Sequence, residues 1–470
     1  MIAVSPISLR DPAGRVVRIG DRILRVVPAK GASNLEALLR SSTLGRFVEA
    51  GQMCSSRVLP PDEASAIFPN AEQGATVLEH DRVEFVSYPS EWPAEMLFSA
   101  AELTLDLSEG LLDEGRGLKD ATPYNVLFRG TVPVFVDVLS VEPRDAHDPI
   151  WLAYAQFVRT MLLPLLLSRR LRVPVAQTFC ANPEGLEPEQ AYRMLSWPLR
   201  LCAPELSLVT LPTWLAPRHA PHASIYAPKR MSDPDRANFT LRHTFRALRR
   251  KLHAVRPMGS VSAWSGYATQ PPSYTEEQQR AKQCEVDRLL ALAKPTRILD
   301  IGCNTGVYSE IACRHAARVV AIDGDCAVVG ALCELGRRKA LNVLPLVVDI
   351  ARPTPATGWR NREHVSFLER ARGQFDCVLM LALIHHLLVT SRIPLDEIVE
   401  LVTELTTAMA IVEYIDRNDQ MFRALLRGRE ALHVGYDRNA FESAFGRRFV
   451  RESVFEIPGS KRAIYAWRKR

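Results

Sequence analysis

A glycine-containing turn between a buried strand and a helix is the strongest chemical signal in the sequence. The stretch from Thr296 to Ser309 reads TRILDIGCNTGVYS, in which RILDI has the composition of a buried strand and VYSEIACRHA begins a helix. Gly302 and Gly306 bracket the turn, where glycine lets the backbone approach a ligand closely and the helix start offers free N–H groups. Taken alone, the turn predicts either a nucleotide-type cofactor site or an ordinary tight turn of an α/β fold.

Acidic residues at the ends of later predicted strands favour the cofactor site. RVVAID ends in Asp323, about one β–α–β unit after the turn, where a carboxylate can accept hydrogen bonds from ribose hydroxyls. VLPLVVD ends in Asp349, FDCVLMLALIHHL is a fourth strand, and AMAIVEYID is a fifth that we expect to end at Glu413. The spacing after Asp300 is Gly-x-x-x-Gly, without the third glycine of the dinucleotide-dehydrogenase pattern.

Two histidines follow the fourth predicted strand. His385 and His386 stand where the carboxyl edge of the sheet opens, and an imidazole there can take a proton from an acceptor hydroxyl or amine near neutral pH. The alternative is that at least one of them packs at a helix start and bonds only to backbone. Glu413 also has two interpretations, as a substrate-binding carboxylate or as a polar strand end.

The elements that must position these residues alternate between strand and helix from Arg297 to the C-terminus. This alternation predicts an α/β fold with a parallel sheet covered by helices. RRFVRESVFEI and SKRAIYAWRK are expected to form a terminal antiparallel pair, and EEQQRAKQCEVDRLLALA is expected to be a helix that precedes the first strand.

The combination of LDIGCNTG, Asp323, Asp349 and the terminal strand pair resembles class I S-adenosylmethionine-dependent methyltransferases over residues 285–470. The resemblance implies a Rossmann-like seven-stranded sheet and S-adenosylmethionine as the cofactor. The segment GWRNRE, with LALIHHL and VEYIDRND, is more specifically similar to a bacterial methyltransferase group that includes the rhizobial nodulation protein NoeA. That similarity extends into the N-terminal half through YPSEWP and LKDATPYN, and it does not identify the methyl acceptor.

The class I resemblance assigns roles to individual residues of the predicted site. It implies that Asp323 holds the ribose, that Asp349 and Ile350 lie beside the adenine, and that the methionine end is lined by Asp300, Gly302, Asn304 and Gly306. The family usually has glycine at the position of Asn304, a common departure that leaves the turn plausible.

The N-terminal half contains a second pattern. In GLKDATPYNVLFRGTVPVFVDV, Asp120 is followed by Asn125, a strand, and Asp137 at the end of the next strand. This resembles the catalytic loop and metal-binding aspartate of protein kinases and related small-molecule kinases, where Asn and the second Asp hold Mg²⁺. Residues 1–90 have neither a Gly-x-Gly-x-x-Gly loop nor a Val-Ala-x-Lys strand, and Lys119 stands where Gly or Arg is usual. We therefore expect a pseudokinase-like binding or scaffolding domain. The alternatives to a methyltransferase function are a pseudokinase-like binding or scaffold protein and a bifunctional kinase–methyltransferase.

These patterns divide the chain into three regions. Residues 1–228 form a kinase-like α+β domain, with a strand-rich lobe (1–90, including VEFVSY as a strand) and a helical lobe (91–228) whose final part, from 181, is proline-rich and loop-like. Residues 229–284 form a basic and aromatic lead-in, and 285–470 the methyltransferase domain. The lead-in has nine Lys and Arg within 229–256, and we expect its helix to be solvated or packed on an acidic neighbour rather than bound to nucleic acid.

Composition excludes several other classes of protein. The 470 residues are 47% hydrophobic and 24% charged, with a formal net charge of +6, which excludes a disordered or collagen-like chain. The nine cysteines include no Cys-x-x-Cys pair, so we expect reduced thiols and no zinc or other metal site. No signal peptide or membrane span is recognisable, because the most apolar run (161–167) is short, and we expect a cytoplasmic protein. The acceptor and the oligomeric state are not specified by the sequence.

Overall fold

The computed structural model describes residues 4–6, 14–32, 35–216, 230–259, 274–426, 428 and 434–470. The chain divides into two compact units, Met1–Met258 and Gly259–Arg470. The finer division into a kinase-like domain, a lead-in and a methyltransferase domain stays a prediction.

The N-terminal unit begins with five strands: β1 (Val4–Pro6), β2 (Arg15–Ile19), β3 (Arg22–Val27), β4 (Ser56–Val58) and β5 (Thr76–His80). They form one antiparallel sheet in the order β1-β2-β3-β5-β4. Alternating apolar residues bury one face, as period-two patterning requires. Four short helices connect these strands: α1 (Ala29–Ala32), α2 (Leu35–Leu39), α3 (Ser42–Glu49) and α4 (Pro61–Ile67).

The segment VEFVSY, residues 83–88, was expected to be a strand and is not one. Val83 is buried by side-chain packing instead, in a small cluster with Cys54 and Val134. The segment then leads into a single 3₁₀ turn at Pro89–Glu91, and the indole N–H of Trp92 donates to the Ser87 hydroxyl at 3.0 Å.

The rest of the N-terminal unit is mainly helical. It begins with α5 (Ala94–Leu112). Strand β6 (Arg116–Leu118) pairs with β9 (Val141–Pro143), and β7 (Val126–Arg129) forms a hairpin with β8 (Val132–Phe135). The following helices are α6 (Tyr154–Phe157), a π-helical turn (Val158–Leu162), α7 (Leu163–Leu171), α8 (Val175–Ala181), α9 (Pro188–Met194), α10 (Trp197–Arg200), a second π-helical turn (Leu206–Thr210), α11 (Leu211–Leu215) and α12 (Pro234–Ala254).

The expectation of a loop from residue 181 onward is wrong for the described part, which ends at residue 216. Two of the short helices there, α9 and α10, have Pro188 and Pro198 in their first turns, where the missing N–H removes no intrahelical hydrogen bond. The third, α11, continues directly from a π-helical turn and contains Pro212. The remainder of the predicted loop, residues 217–228, lies outside the described residues.

The basic helix α12 has acidic partners on α5. The Arg242 guanidinium pairs with Asp113 at 2.5 Å, and Arg249 pairs with Asp106 at 2.7 Å and Glu109 at 3.0 Å. Part of the positive charge of the basic segment is therefore used within its own unit.

The C-terminal unit begins with α13 (Glu276–Ala293) and contains seven strands. These are β10 (Arg297–Ile301), β11 (Arg318–Asp323), β12 (Val343–Val347), β13 (Phe375–Met380), β14 (Thr406–Ile415), β15 (Phe449–Glu456) and β16 (Arg462–Lys469). The helices between them are α14 (Val307–Ala312), α15 (Cys326–Lys339), α16 (Phe367–Ala371), α17 (Leu395–Leu405), α18 (Gln420–Leu426) and α19 (Arg438–Gly446).

The seven strands form one sheet in the order β12-β11-β10-β13-β14-β16-β15. The first five are parallel, and β16 is antiparallel to both of its neighbours, which confirms the expected terminal pair. The parallel strands are nearly continuous runs of buried apolar residues, as a sheet covered on both faces requires. The fifth parallel strand, β14, runs two residues beyond Glu413, so the expectation that Glu413 ends this strand is wrong.

In the part of the chain that the structure describes, no helix combines the length and the apolar character needed to cross a membrane. All nine cysteines are free thiols.

Candidate functional site

The parallel strands end together at the carboxyl edge of the C-terminal sheet. Ile301, the last residue of β10, lies opposite Ile322 of β11 and Met380 of β13, and Met380 lies opposite Val412 of β14. The residues that follow Ile301, Ile322, Met380 and Val412 therefore lie at the same level along the sheet. They are Gly302, Asp323, Leu381 and Glu413, so the sheet edge brings together residues that are more than 100 positions apart in sequence.

The turn after β10 has the left-handed backbone that its glycines predict. Gly302 has φ 77°, and Gly306, at the start of α14, has φ 90°. A Cβ built on Gly306 would stand 2.2 Å from Leu332 Cδ1, so a side chain there would require the buried Leu332 side chain to move. Asn304, where the resembling family usually has glycine, has φ 48°, a conformation that asparagine tolerates better than most residues.

Two carboxylates flank this turn. Asp300 is buried and accepts a hydrogen bond from Ser309 Oγ at 2.6 Å, and burial raises its pKa to about 6. Asp323 accepts one backbone N–H on each oxygen, from Asn304 at 3.0 Å and from Asp325 at 2.9 Å. Burial also raises the pKa of Asp323. The two N–H groups orient the Asp323 carboxylate, whose oxygens can accept a further hydrogen bond from a ligand hydroxyl.

Asp349 and Ile350 lie beyond β12, next to the end of β11. The Val348 N–H donates to the Asp323 carbonyl at 2.9 Å, and the exposed Asp349 accepts the Ala351 N–H at 2.9 Å. Ile350 is 8% exposed. The structure thus brings an apolar residue and an exposed carboxylate beside Asp323.

The two histidines differ in their access to solvent. His385 is fully buried, and neither ring nitrogen has a hydrogen-bond partner among the residues that the structure describes. His386 is partly exposed, and its ring centroid lies 4.1 Å from that of His385. Burial lowers the pKa of both histidines below the usual value. The neighbouring His386, and then the cations Arg462 and Lys282, lower the pKa of His385 further. Arg462 also lowers the pKa of His386. Both imidazoles are therefore neutral at pH 7.

Glu413 is not open to a ligand in this structure. Its side chain is fully buried and pairs with Lys282 Nζ at 2.6 Å. It also accepts hydrogen bonds from the Tyr274 hydroxyl and from the Ala382 N–H. This geometry supports neither of the two interpretations of Glu413, as a substrate-binding carboxylate or as a polar strand end.

Four residues joined to Glu413 were missed in the sequence: Tyr274, Lys282, Asp419 and Arg462. Arg462 donates to both carboxylate oxygens of Asp419 at 2.8 Å and to the Tyr274 hydroxyl at 2.7 Å. Lys282 lies in a charged helical stretch and Arg462 beside Lys461, so both resemble surface residues in sequence. The spacing of Lys282 from buried residues along its helix, and of Arg462 from buried residues along its strand, is the only sequence signal that could have indicated that they point inward.

Within the described residues, no group of three or more His, Cys, Asp or Glu side chains is arranged to hold a metal ion.

The sheet order, the glycine turn and the carboxylate at the end of β11 define a class I S-adenosylmethionine-dependent methyltransferase. The residues fit that cofactor, because the left-handed Gly302 and Gly306 form a tight turn at the start of a helix, and the Asp323 carboxylate, oriented by two backbone N–H groups, stands at the end of the neighbouring strand. S-adenosylmethionine supplies an activated methyl group on a sulfonium, so the chain's own task is to bind and orient the reactants.

Comparison with known proteins agrees with this class. Residues 274–450 match the family model of a methyltransferase domain. The nodulation protein NoeA of Rhizobium meliloti is 32% identical over 471 residues, which cover 98% of this chain and 95% of NoeA. The chain belongs to the family of NoeA, and it is an S-adenosylmethionine-dependent methyltransferase.

Two solved structures are similar to part of this chain. The N-methyltransferase NodS from Bradyrhizobium japonicum is 15% identical with a TM-score of 0.31, over 41% of this chain and 97% of NodS. The bifunctional kinase–methyltransferase WbdD is 16% identical with a TM-score of 0.30, over 42% of this chain and 40% of WbdD.

Proposed function

We propose that the protein methylates an acceptor hydroxyl or amine, with His386 accepting the proton that the acceptor loses. The acceptor is a small molecule, a glycan or a macromolecule. The 32% sequence identity to NoeA, a nodulation protein, supports a role for this methyl transfer in nodulation. The cofactor is held, in this proposal, by Asp323 at the ribose, by Asp349 and Ile350 at the adenine, and at the methionine end by Asp300, Gly302, Asn304 and Gly306.

One observation carries the role of the histidines. The neutral, partly exposed imidazole of His386 follows β13 at the same edge of the sheet as the glycine turn. Leu383, which lies between β13 and His386 in the chain, contacts the position where Gly302 lacks a side chain. A neutral imidazole is the form that accepts a proton, so His386 needs no prior deprotonation at pH 7. His385, being fully buried, is better suited to packing beneath His386 than to touching the acceptor.

Transfer of an isotopically labelled methyl group tests this function directly. The full-length protein, incubated with cell extract and S-adenosylmethionine carrying a ¹³C-labelled methyl, is expected to produce at least one labelled product that mass spectrometry detects. The Asp323→Ala protein serves as the control and should produce much less of it. Absence of any labelled product across small-molecule, glycan and macromolecular fractions would contradict the proposal.

We also propose that residues 1–228 form a kinase-like domain that does not transfer phosphate. The five-stranded antiparallel sheet followed by a helical part supports this assignment. Asn125 precedes the β7–β8 hairpin and Asp137 follows it, and Ser140 joins them: Asn125 Nδ2 donates to Ser140 Oγ at 3.1 Å, and Ser140 Oγ donates to Asp137 at 2.5 Å. The buried Arg25 of β3 pairs with the other oxygen of Asp137 at 2.6 Å, so a protein cation already neutralises this carboxylate.

Mg²⁺–ATP is therefore expected to leave the melting temperature of the protein unchanged within about 1 °C. A ligand that binds only the folded state raises the melting temperature, and the effect grows with its concentration. The measurement is a thermal melt with and without millimolar Mg²⁺–ATP, with S-adenosylhomocysteine as the positive control. A clear rise with Mg²⁺–ATP that Asp137→Asn abolishes would instead favour a bifunctional kinase–methyltransferase.

A further inference from the structure

A buried cluster of charged residues lies around Glu413, near the carboxyl edge of the C-terminal sheet. The proposed proton transfer does not involve these residues. This cluster, called here the Glu413 cluster, consists of Tyr274, Lys282, Glu413, Asp419 and Arg462. Lys282, Glu413 and Arg462 are each at most 2% exposed. Buried charges are costly unless they are paired, and each charge in the cluster has a partner of opposite sign within hydrogen-bonding distance.

The Glu413 cluster contacts the backbone of the segment that carries the histidines. Glu413 Oε2 accepts the Ala382 N–H at 2.8 Å and the Lys282 ammonium at 2.6 Å. The same ammonium lies 4.9 Å from the ring centroid of Tyr274 and 4.8 Å from that of Tyr308, which follows the glycine turn. The cluster therefore joins α14, which follows the turn after β10, to the segment after β13.

Ala382 has an unusual backbone conformation. Its φ is 51°, in the left-handed region that non-glycine residues seldom adopt, and alanine has no polar side chain to stabilise it locally. This conformation turns the chain immediately after β13. As a result the Leu383 side chain lies over Gly302, and the Leu383 carbonyl accepts the His386 N–H at 2.9 Å.

We infer that Glu413 is a positioning residue that holds Ala382 in its left-handed conformation, with Lys282 as its counterion. Glu413 does this as the hydrogen-bond acceptor for the Ala382 N–H, and the segment 381–386 is thereby oriented against the cofactor turn. A catalytic role is incompatible with these contacts, since the carboxylate is fully buried and already bonded to Tyr274, Lys282 and Ala382. The inference extends the proposed function, because the oriented segment contains His386, but its test does not involve methyl transfer.

Two double variants isolate the acceptor from the charge. Lys282→Met combined with Glu413→Gln removes both charges and keeps a side-chain oxygen for the Ala382 N–H. Lys282→Met combined with Glu413→Leu removes both charges and the acceptor. Replacing a whole buried ion pair is tolerated far better than removing one member, so both proteins are expected to fold.

The measurement is amide hydrogen exchange of segment 381–386 together with the affinity for S-adenosylhomocysteine. We expect exchange in this segment to be at least tenfold faster in the Leu variant than in the Gln variant, with affinity at least fivefold weaker. Exchange in β12, at the far edge of the sheet, should be equal in the two proteins. The single variant Glu442→Gln removes a glutamate of α19 that accepts from the Tyr465 hydroxyl at 2.7 Å and pairs with Arg451 at 2.6 Å, and it should change neither readout.

Equal exchange of segment 381–386 in the two double variants would overturn the inference, since the acceptor would then not hold Ala382. A general loss of protection in all strands of the Leu variant would also overturn it, because it would indicate a role in overall stability only. Failure of the proposed function is separate from these outcomes: a His386 variant with full turnover would leave the exchange behaviour of Ala382 as expected here.

Discussion

Replacing Asp323 with alanine is expected to weaken the binding of S-adenosylmethionine about 10- to 100-fold. The carboxylate would lose its hydrogen bonds to the ribose hydroxyls, and a hydrogen bond to a charged group contributes about 1.5–3 kcal/mol. The Asn304 and Asp325 N–H groups would also lose their acceptor, which loosens the turn itself. Isothermal titration of the full-length protein with the cofactor measures the effect.

Asp376 provides a matched control for this experiment. It accepts two backbone N–H groups, from Thr296 at 3.0 Å and Arg297 at 2.8 Å, as Asp323 does, but it stands at the opposite edge of the same sheet. Asp376→Ala should therefore cost similar stability and leave cofactor affinity unchanged. Wild-type affinity in a folded Asp323→Ala protein would mean that the ribose is not held at the end of β11.

Replacing His386 with alanine is expected to lower turnover at least about tenfold, toward the ~10²–10⁴ typical of general acid–base catalysis. Cofactor affinity should stay nearly unchanged, because His386 is not assigned to the nucleoside. His386→Asn distinguishes hydrogen bonding from proton transfer, since asparagine keeps a donor and an acceptor but cannot act as a base near pH 7. The assay uses the acceptor identified by methyl labelling.

The pH dependence of turnover adds an independent readout. Burial lowers the pKa of His386, so the imidazole stays neutral and active throughout the range above its usual value near 6.5. Turnover in the wild type should be flat from about pH 7 to 8 and fall only below about pH 6.5, as the imidazole takes up a proton.

The control for this histidine is His315→Ala. His315 is a partly buried histidine of the same unit whose Nε2 lies 2.8 Å from Asp287 Oδ1, and its replacement should leave turnover unchanged. Full turnover by both His386→Ala and His385→Ala would make the pair structural. Loss of cofactor binding by both would instead assign the histidines to the cofactor pocket.

Local patterns predicted most elements of the C-terminal unit. The expected fourth strand, FDCVLMLALIHHL, is too long, because β13 ends at Met380 and His386 begins a π-helical turn (His386–Thr390). The strands at Arg297–Ile301 and Arg318–Asp323 were recognised from short buried apolar runs that end in glycine or aspartate, signals that lie within a few residues. In the N-terminal unit, VEFVSY has strand composition but is not a strand, and prolines such as Pro188 begin helices rather than interrupt them.

The sequence by itself determined the class of this protein, because the glycine turn and Asp323 are close in the chain and their chemistry requires those residue types. Only the tertiary structure decided the environment of Glu413, His385 and Lys282. Their burial depends on which way each side chain points once strands and helices have packed. A one-residue change of phase reverses that direction in a strand, as at Glu413, and rotates it by about 100° in a helix, as at Lys282. Contacts such as Lys282 with Glu413 join residues 131 positions apart, which no local pattern encodes. His386 is partly exposed and His385 is fully buried for the same reason. The two residues are identical and adjacent in sequence, so only the packing around them distinguishes one from the other.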